Sequence, residues 1–189
     1  SSPIMEILLD FIDLGKIRIE SKQIIRLNLR NFNLYEFPKT ILKLNFLRTL
    51  SFRNNKLKKI PKDIDKLKYL KELWLGNNEL QVLPDSICNL KNLEILWLDK
   101  NKIDCLPNNI GNLTQLKILQ LSSNSLKKLP ESMCKLKKLE SLYLRENSLN
   151  KLPECLSELK SLKSIDIRKN YFSNYPMILE KIPNLKKLI

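Results

Sequence analysis

Leucines recur along this chain at a fixed interval. Cutting the sequence every 23 residues from Ile24 gives seven full copies up to residue 184 and a partial eighth from Leu185, with no insertion or deletion. The shared pattern is L-x-x-L-x-L-x-x-N-x-L-x-x-L-P-x-x-I-x-x-L-x-x, and we number its positions 1 to 23. A repeat of this length predicts a solenoid in which each copy forms one turn.

Each part of the repeat predicts a different local structure. The alternating x-L-x-L stretch has a period of two, which predicts a short strand whose leucines point inward, and stacked copies then form a parallel sheet. The leucine and proline at positions 14 and 15 redirect the chain, because proline fixes φ. Apolar residues at positions 18 and 21 have a spacing of three, which predicts a short helical or 3₁₀ turn. The predicted fold is therefore a right-handed α/β solenoid, a horseshoe with a parallel concave sheet and short turns on its convex side.

Position 9 is occupied by asparagine in six of the seven copies, and the first copy has Phe32 instead. The asparagines are Asn55, Asn78, Asn101, Asn124, Asn147 and Asn170. A side-chain amide at this point can bond to the backbone of neighbouring turns. The pattern therefore predicts a ladder of asparagines that satisfies buried peptide groups.

The first 23 residues lie outside the repeat. Residues 4–14 alternate apolar and acidic side chains with helical spacing, and Ser2, Pro3 and Gly15 are typical of helix ends. We therefore expect residues 1–23 to form an amphipathic cap helix and a short strand around Ile17 and Ile19, followed by the repeat array of residues 24–189.

The predicted concave face is formed by positions 3, 5 and 7 of each copy. Its centre is apolar and its surroundings are charged. The candidate partner-binding residues are Trp74, Ile95, Trp97, Ile118 and Tyr143, with Arg53, Glu72, Asp99 and Arg145 setting the orientation. Because neighbouring strands lie about 5 Å apart, the two tryptophan rings are expected to stack. Aromatic groups surrounded by arginine are typical of the energetically dominant part of a protein interface.

Composition argues against catalysis. The chain has no histidine and only three glycines, which removes the commonest acid–base group and leaves no glycine-rich phosphate loop. We expect no cofactor, no metal and no enzyme activity. No apolar run is long enough to span a membrane.

The net charge of +14 raises a second possibility. Basic proteins of this kind attract polyanions, so polyanion or glycan binding through the lysines is the alternative function, whereas nucleic acid is not expected as the partner. A third hypothesis is weak self-association through the terminal repeats, because the chain ends on a predicted strand.

The four cysteines are Cys88, Cys105, Cys134 and Cys155. Cys88 and Cys134 occupy the same position two copies apart, a backbone separation of about 10 Å that exceeds the disulfide limit of about 7 Å. Cys105 and Cys155 occupy positions 13 and 17, on different edges. These placements predict four free thiols.

Residues 24–189 resemble leucine-rich repeat proteins with 23-residue repeats that contain L-P-x-x-I-x-x-L. Two groups share this signature. One comprises bacterial proteins, especially of pathogenic spirochaetes, and the resemblance implies an exported or cell-surface protein that binds host molecules. The other comprises intracellular eukaryotic scaffolds that bind Ras, so a cytoplasmic location stays open. The absence of alanine together with abundant lysine, asparagine and isoleucine favours the bacterial group.

Overall fold

The computed structural model describes residues 16–20 and 23–188. The expected cap helix of residues 4–14 lies outside the described residues. Within them, the strands form one sheet in the order of the sequence. They are β1 (Ile17–Glu20), β2 (Gln23–Asn28), β3 (Thr49–Ser51), β4 (Glu72–Trp74), β5 (Ile95–Trp97), β6 (Ile118–Gln120), β7 (Ser141–Tyr143), β8 (Ser164–Asp166) and β9 (Lys187–Leu188).

Strands β2 to β9 are parallel, and only β1 is antiparallel to its neighbour β2 among the described strands. Each step advances the register by one copy, so that Leu73 of β4 pairs with Leu96 of β5. Both leucines are fully buried, whereas the residues on either side of them are half-buried. The leucines of the period-two pattern therefore point into the core, as predicted. The predicted solenoid is confirmed.

Short 3₁₀ turns form the convex side. They are η1 (Lys39–Lys43), η2 (Ile64–Lys66), η3 (Asp85–Asn89), η4 (Ile110–Asn112), η5 (Glu131–Lys135), η6 (Glu154–Glu158) and η7 (Met177–Lys181). Five of these turns begin directly after the position 15 proline, for example Pro84, whose φ is −69°. Proline suits this place because its φ is already close to the value a turn needs and its missing N–H is not required there. Position 18 is buried against the strands, as at Ile87 and Ile110.

The asparagine ladder is confirmed, and Asn101 shows its chemistry. The Asn101 Nδ2 donates to the carbonyl oxygens of Leu98 in its own copy and Leu75 in the preceding copy, each at 3.0 Å. Its Oδ1 accepts from the N–H of Leu80 at 3.0 Å. One buried side chain thus satisfies backbone groups of two successive copies, which ties the copies together.

Position 8, which precedes the ladder, adopts left-handed backbone geometry in every full copy. The residues are Asn31, Asn54, Asn77, Lys100, Ser123, Glu146 and Lys169, with φ between 52° and 66°. Asparagine tolerates this region, but lysine, serine and glutamate adopt it at a cost. The requirement escaped the sequence analysis because the residue type at this position changes along the chain.

Two cysteines correct the prediction of four free thiols. Cys134 and Cys155 form a disulfide, and their Cα atoms are 5.7 Å apart. Cys134 lies in η5 and Cys155 in η6, so these unequal repeat positions of adjacent copies meet on the convex side. Cys134 and Cys155 were not among the pairs whose separation predicted free thiols. Cys88 and Cys105 remain free thiols.

Candidate protein-binding face

The parallel register brings the candidate residues into two rows on the concave sheet. Along position 5, Trp74 pairs with Trp97, Trp97 with Gln120, and Gln120 with Tyr143. Along position 3, the corresponding row runs Glu72, Ile95, Ile118 and Ser141. Tyr143 is therefore two strands away from Trp97, and Gln120 lies between them. The apolar centre consists of the two tryptophans and the two isoleucines, with Tyr143 as a separate aromatic side chain.

The tryptophan pair is stacked, as predicted. The ring centroids of Trp74 and Trp97 are 4.8 Å apart and the rings are inclined by 18°. The Nε1 of Trp74 donates to a carboxylate oxygen of Glu72 at 3.1 Å, which holds the first ring in place. Each tryptophan is half-buried because the rings cover part of one another. The face offers a preformed aromatic surface that needs little ordering when a partner binds.

A charged bridge borders the tryptophans along position 7. Arg53 and Asp99 come from copies two apart, and their side chains meet at 3.7 Å above Gly76 of the intervening copy. The guanidinium carbon of Arg53 also lies 5.5 Å from the ring centroid of Trp97. A Cβ atom at residue 76 would collide with the Asp99 carboxylate and approach Cδ1 of Trp97 at 3.3 Å. Glycine at residue 76 therefore leaves room for the Asp99 carboxylate beside Arg53, a role that was not foreseen from the sequence.

Arg145 lies at the other end of the face, beside Glu146. The Arg145 guanidinium contacts Glu146 at 3.2 Å, and Lys169 of the next copy contacts the same carboxylate at 2.6 Å. The hydroxyl of Ser123 donates to that carboxylate at 2.7 Å. The hydrogen bond from Lys169 has the largest effect on the Glu146 carboxyl and that from Ser123 the next largest. Together they lower its pKa to about 2. The carboxylate is therefore ionised at neutral pH and orients Arg145 and Lys169.

Buried polar atoms without a hydrogen-bond partner concentrate on this face. Among the described residues, such side-chain atoms are Arg53 Nε, Trp97 Nε1, Asp99 Oδ1, Arg145 Nε and Ser86 Oγ. All but the serine belong to the residues that the sequence analysis chose. A buried donor or acceptor without a partner costs free energy, so this face is not at its polar optimum in the isolated chain.

The face is less exposed than the sequence implied, and more exposed aromatic side chains lie elsewhere. Phe46 and Tyr69, at position 23 of the first two copies, are 45% and 54% exposed and stack with centroids 5.9 Å apart. They lie at the edge of the sheet, just before β3 and β4. Aromatic residues at the same position of adjacent copies were the available signal, but the sequence analysis considered only the concave rows.

Beside the concave face, position 2 carries alternating charges. The Glu94 carboxylate forms salt bridges with the ammonium groups of Lys71 at 3.1 Å and Lys117 at 2.7 Å. The Glu140 carboxylate forms one with Lys163 at 2.7 Å. The hydrogen bond from Lys117, followed by that from Lys71, lowers the pKa of Glu94, and Lys163 lowers the pKa of Glu140. The lysines of this edge are thus largely neutralised by their neighbours.

One group of neighbouring side chains consists of residue types that commonly act as metal ligands. Ligand atoms of Glu131, Cys134 and Cys155 lie within 4.8 Å of one another. The disulfide removes both thiolates as ligands, so in this state the group holds no soft cation.

Of the two free thiols, burial raises the pKa of Cys88 to about 11. A hydrogen bond with Asp104 raises that of Cys105. Neither thiol is activated as a nucleophile.

In the part of the chain that the structure describes, no helix is long and apolar enough to cross a bilayer.

Comparisons with known proteins agree with this architecture. The sequence model of a family described as a leucine-rich repeat region matches residues 23–102 and 87–189. In a comparison with curated protein sequences, nothing matches the chain.

Three solved structures with similar folds share about a third of the aligned residues. A leucine-rich repeat protein of Leptospira interrogans is 34% identical over 85% of this chain and 48% of its own, with a TM-score of 0.67. The ectodomain of the Arabidopsis thaliana receptor kinase GASSHO1/SCHENGEN3, in complex with Casparian strip integrity factor 2, is 32% identical to this chain. The match covers 81% of this chain and 19% of the ectodomain, with a TM-score of 0.74. The plant peptide hormone receptor RGFR1, in complex with RGF2, is 31% identical to this chain. The match covers 86% of this chain and 26% of the receptor chain, with a TM-score of 0.73.

The chain spans less than half the length of each of these structures. The repeat pattern, the solenoid and the family match agree over most of the sequence. This chain belongs to the leucine-rich repeat family.

Proposed function

We propose that this chain is a non-catalytic protein-binding module whose partner lies on the concave face. The observation that carries the proposal is the stacked tryptophan pair, which is only half-buried and is bordered by the Arg53–Asp99 bridge. Arg53 takes part in both features, because its guanidinium carbon lies 5.5 Å from the ring centroid of Trp97. A partner can bury the exposed part of these rings and form hydrogen bonds with the charged groups beside them.

The charges of the face favour a protein over a uniform polyanion. Arg53 and Arg145 lie towards opposite ends of the face, and Glu72 and Asp99 lie beside the apolar centre. Charges of both signs around an aromatic centre can align a partner that also carries both signs, and they exclude a ligand with one sign only. The structural relatives in complex with named partners support the same class of function.

A place outside the reducing cytosol is part of the proposal. The Cys134–Cys155 disulfide is typical of oxidising compartments, where such bonds form and persist. The likeness to a Leptospira interrogans leucine-rich repeat protein supports the bacterial group over the intracellular Ras-binding scaffolds. For that group the sequence resemblance implies an exported protein that engages host molecules, and we include this in the proposal. The disulfide and this likeness support the same location independently of each other.

The test compares two stacked aromatic pairs. In pull-downs from host-cell extracts at low and high salt, a retained protein is identified, purified and titrated against the wild type and two double variants. Trp74→Ala/Trp97→Ala is expected to weaken binding by at least about 2 kcal/mol, or about 30-fold in Kd. The matched control, Phe46→Ala/Tyr69→Ala, removes a stacked pair outside the concave face and is expected to change Kd by less than about threefold.

Two results would contradict the proposal. Equal losses in the two double variants would show that aromatic surface in general, and not the concave face, retains the partner. Retention that ignores Trp74 and Trp97 and disappears at high salt would show that the lysine surface binds the partner instead.

Self-association through the terminal repeats stays a separate prediction. Light scattering over a wide range of protein concentrations tests it, and a constant monomer mass would rule it out.

A further inference from the structure

A depression beside the first two copies gathers lysines from both. Lys39, Lys58, Lys59 and Lys62 line it, and the apolar side chains of Phe37 and Ile60 form part of its floor. Each of the four lysines is exposed. Lys58 and Lys59 come from the segment before Pro61, whereas Lys39 lies in η1 of the preceding copy. The stacking of the two copies therefore concentrates four ammonium groups around one concavity.

These lysines differ from those of position 2, which are paired with glutamates. None of the four forms a salt bridge with any residue within 16–20 and 23–188. The depression also has two acids in its lining, Glu36 and Asp63. Asp63 forms a salt bridge with Lys66 at 2.7 Å and also attracts Lys39, so the four lysines outnumber the two acids of the lining. The depression thus concentrates an excess of positive charge.

We propose that this depression binds the sulfate groups of an acidic glycan chain. Lysine suits such a ligand because its ammonium is a point charge on a flexible stem, which adapts to sulfate groups at variable spacing. The site is separate from the concave face, so it adds a second binding activity to the protein-binding function and does not depend on it.

The aromatic side chain at the depression argues for a glycan over a nucleic acid. Recognition of single-stranded nucleic acid relies on free aromatic faces on which bases stack. Tyr35 is the exposed aromatic residue of this lining, and the Lys56 ammonium lies 4.8 Å from its ring centroid. The same ammonium donates to the Tyr35 hydroxyl at 2.8 Å. Lys56 thus occupies a face of the ring that a base would need, while the point charges around it stay available to sulfate.

The repeat itself supplies a matched control. Lys127 and Lys128 occupy the same positions, 12 and 13, in the fifth copy as Lys58 and Lys59 do in the second. The groove beside Lys128 is lined by Asp85 and Glu131 as well as by Lys151, so its charges balance. Lys58→Gln/Lys59→Gln and Lys127→Gln/Lys128→Gln therefore change the net charge equally, but only the first reduces a cluster with an excess of positive charge.

The experiment measures binding of a defined heparin oligosaccharide to the full chain by calorimetry at several salt concentrations. Lys58→Gln/Lys59→Gln is expected to weaken binding about 10- to 30-fold at low salt and to reduce the slope of log K against log salt by about two. Lys127→Gln/Lys128→Gln is expected to stay within about threefold of the wild type. Thermal unfolding of both variants should match the wild type, because all four side chains are exposed.

Three outcomes would overturn the proposal. Equal losses in the two variants would mean that only net charge matters. Equal affinity for the desulfated oligosaccharide would mean that sulfate is not recognised. Equal or tighter binding of a single-stranded oligonucleotide, lost in Lys58→Gln/Lys59→Gln, would assign the depression to nucleic acid.

Discussion

The ladder asparagine of each copy follows shortly after the concave strand of that copy, yet the repeat treats the two regions differently. Six of seven copies place the same asparagine in the ladder and satisfy the same backbone groups. The concave rows, in contrast, change residue type from strand to strand, and they contain the unpartnered atoms of Trp97 and Asp99. Interactions that stabilise the fold are therefore repeated and complete, whereas those that we assign to binding occur once and are incomplete.

The largest expected effect comes from breaking the ladder. Asn101→Ala would leave the carbonyl groups of Leu75 and Leu98 and the N–H of Leu80 buried without this partner. We expect the free energy of unfolding to fall by about 3–5 kcal/mol, because each orphaned group costs about 1–3 kcal/mol. Urea unfolding measures the change.

Gln120→Ala is the control for the ladder variant, since Gln120 is a polar residue of the concave row whose Oε1 accepts from the Ser122 N–H. Its loss should cost less than about 1 kcal/mol. A comparable loss in the two variants would contradict the division between a structural interior and a variable face.

The next largest effect tests the convex side. Removing the disulfide with Cys134→Ser/Cys155→Ser should lower the free energy of unfolding by about 2–4 kcal/mol, since the bond closes a loop between neighbouring copies. Partner binding through the concave face should not change, because η5 and η6 lie on the opposite side of the solenoid. Thermal unfolding with and without reductant measures the effect, and Cys105→Ser should behave as the wild type. A loss of partner binding in the double variant would show that the two sides are coupled.

Gly76→Ala should produce a smaller loss at the border between the two regions. The added Cβ would displace the Asp99 carboxylate and weaken its contact with Arg53. We expect about 1 kcal/mol of destabilisation, because the obstructing group is the movable end of a side chain. Adding Asp99→Ala should remove most of the cost of Gly76→Ala, and calorimetry of the four proteins in this cycle measures the coupling. Additive effects would mean that Gly76 is needed for another reason.

What could be predicted from the sequence follows the same division. The period of two along each strand determines which side chains share a face, so the register that stacks Trp74 on Trp97 followed from spacing alone. The meeting of Arg53 and Asp99 over Gly76 did not, because it depends on side-chain directions and on a missing Cβ. The Cys134–Cys155 bond escaped because its cysteines occupy unequal positions, which only the path of the 3₁₀ turns brings together.

The smallest effect that we predict concerns position 8, where the chain leaves the concave face and enters the ladder. Lys100 has a φ of 52°, and its counterpart Asn77 in the preceding copy has a φ of 55°. Asparagine accepts this left-handed geometry more readily than lysine does. Lys100→Asn should therefore stabilise the chain by about 0.5–1 kcal/mol, and Asn77→Lys should destabilise it by a similar amount.

Urea unfolding of both position 8 variants measures the pair of changes, and no salt bridge of Lys100 within the described residues complicates the comparison. If both variants match the wild type, backbone geometry at position 8 costs nothing and its residue type is free to vary. Opposite shifts of the two variants would show that Lys100 is retained at a cost in stability. Such a cost is expected for a side chain at the border of the proposed binding face, where partner contacts and not folding determine the residue.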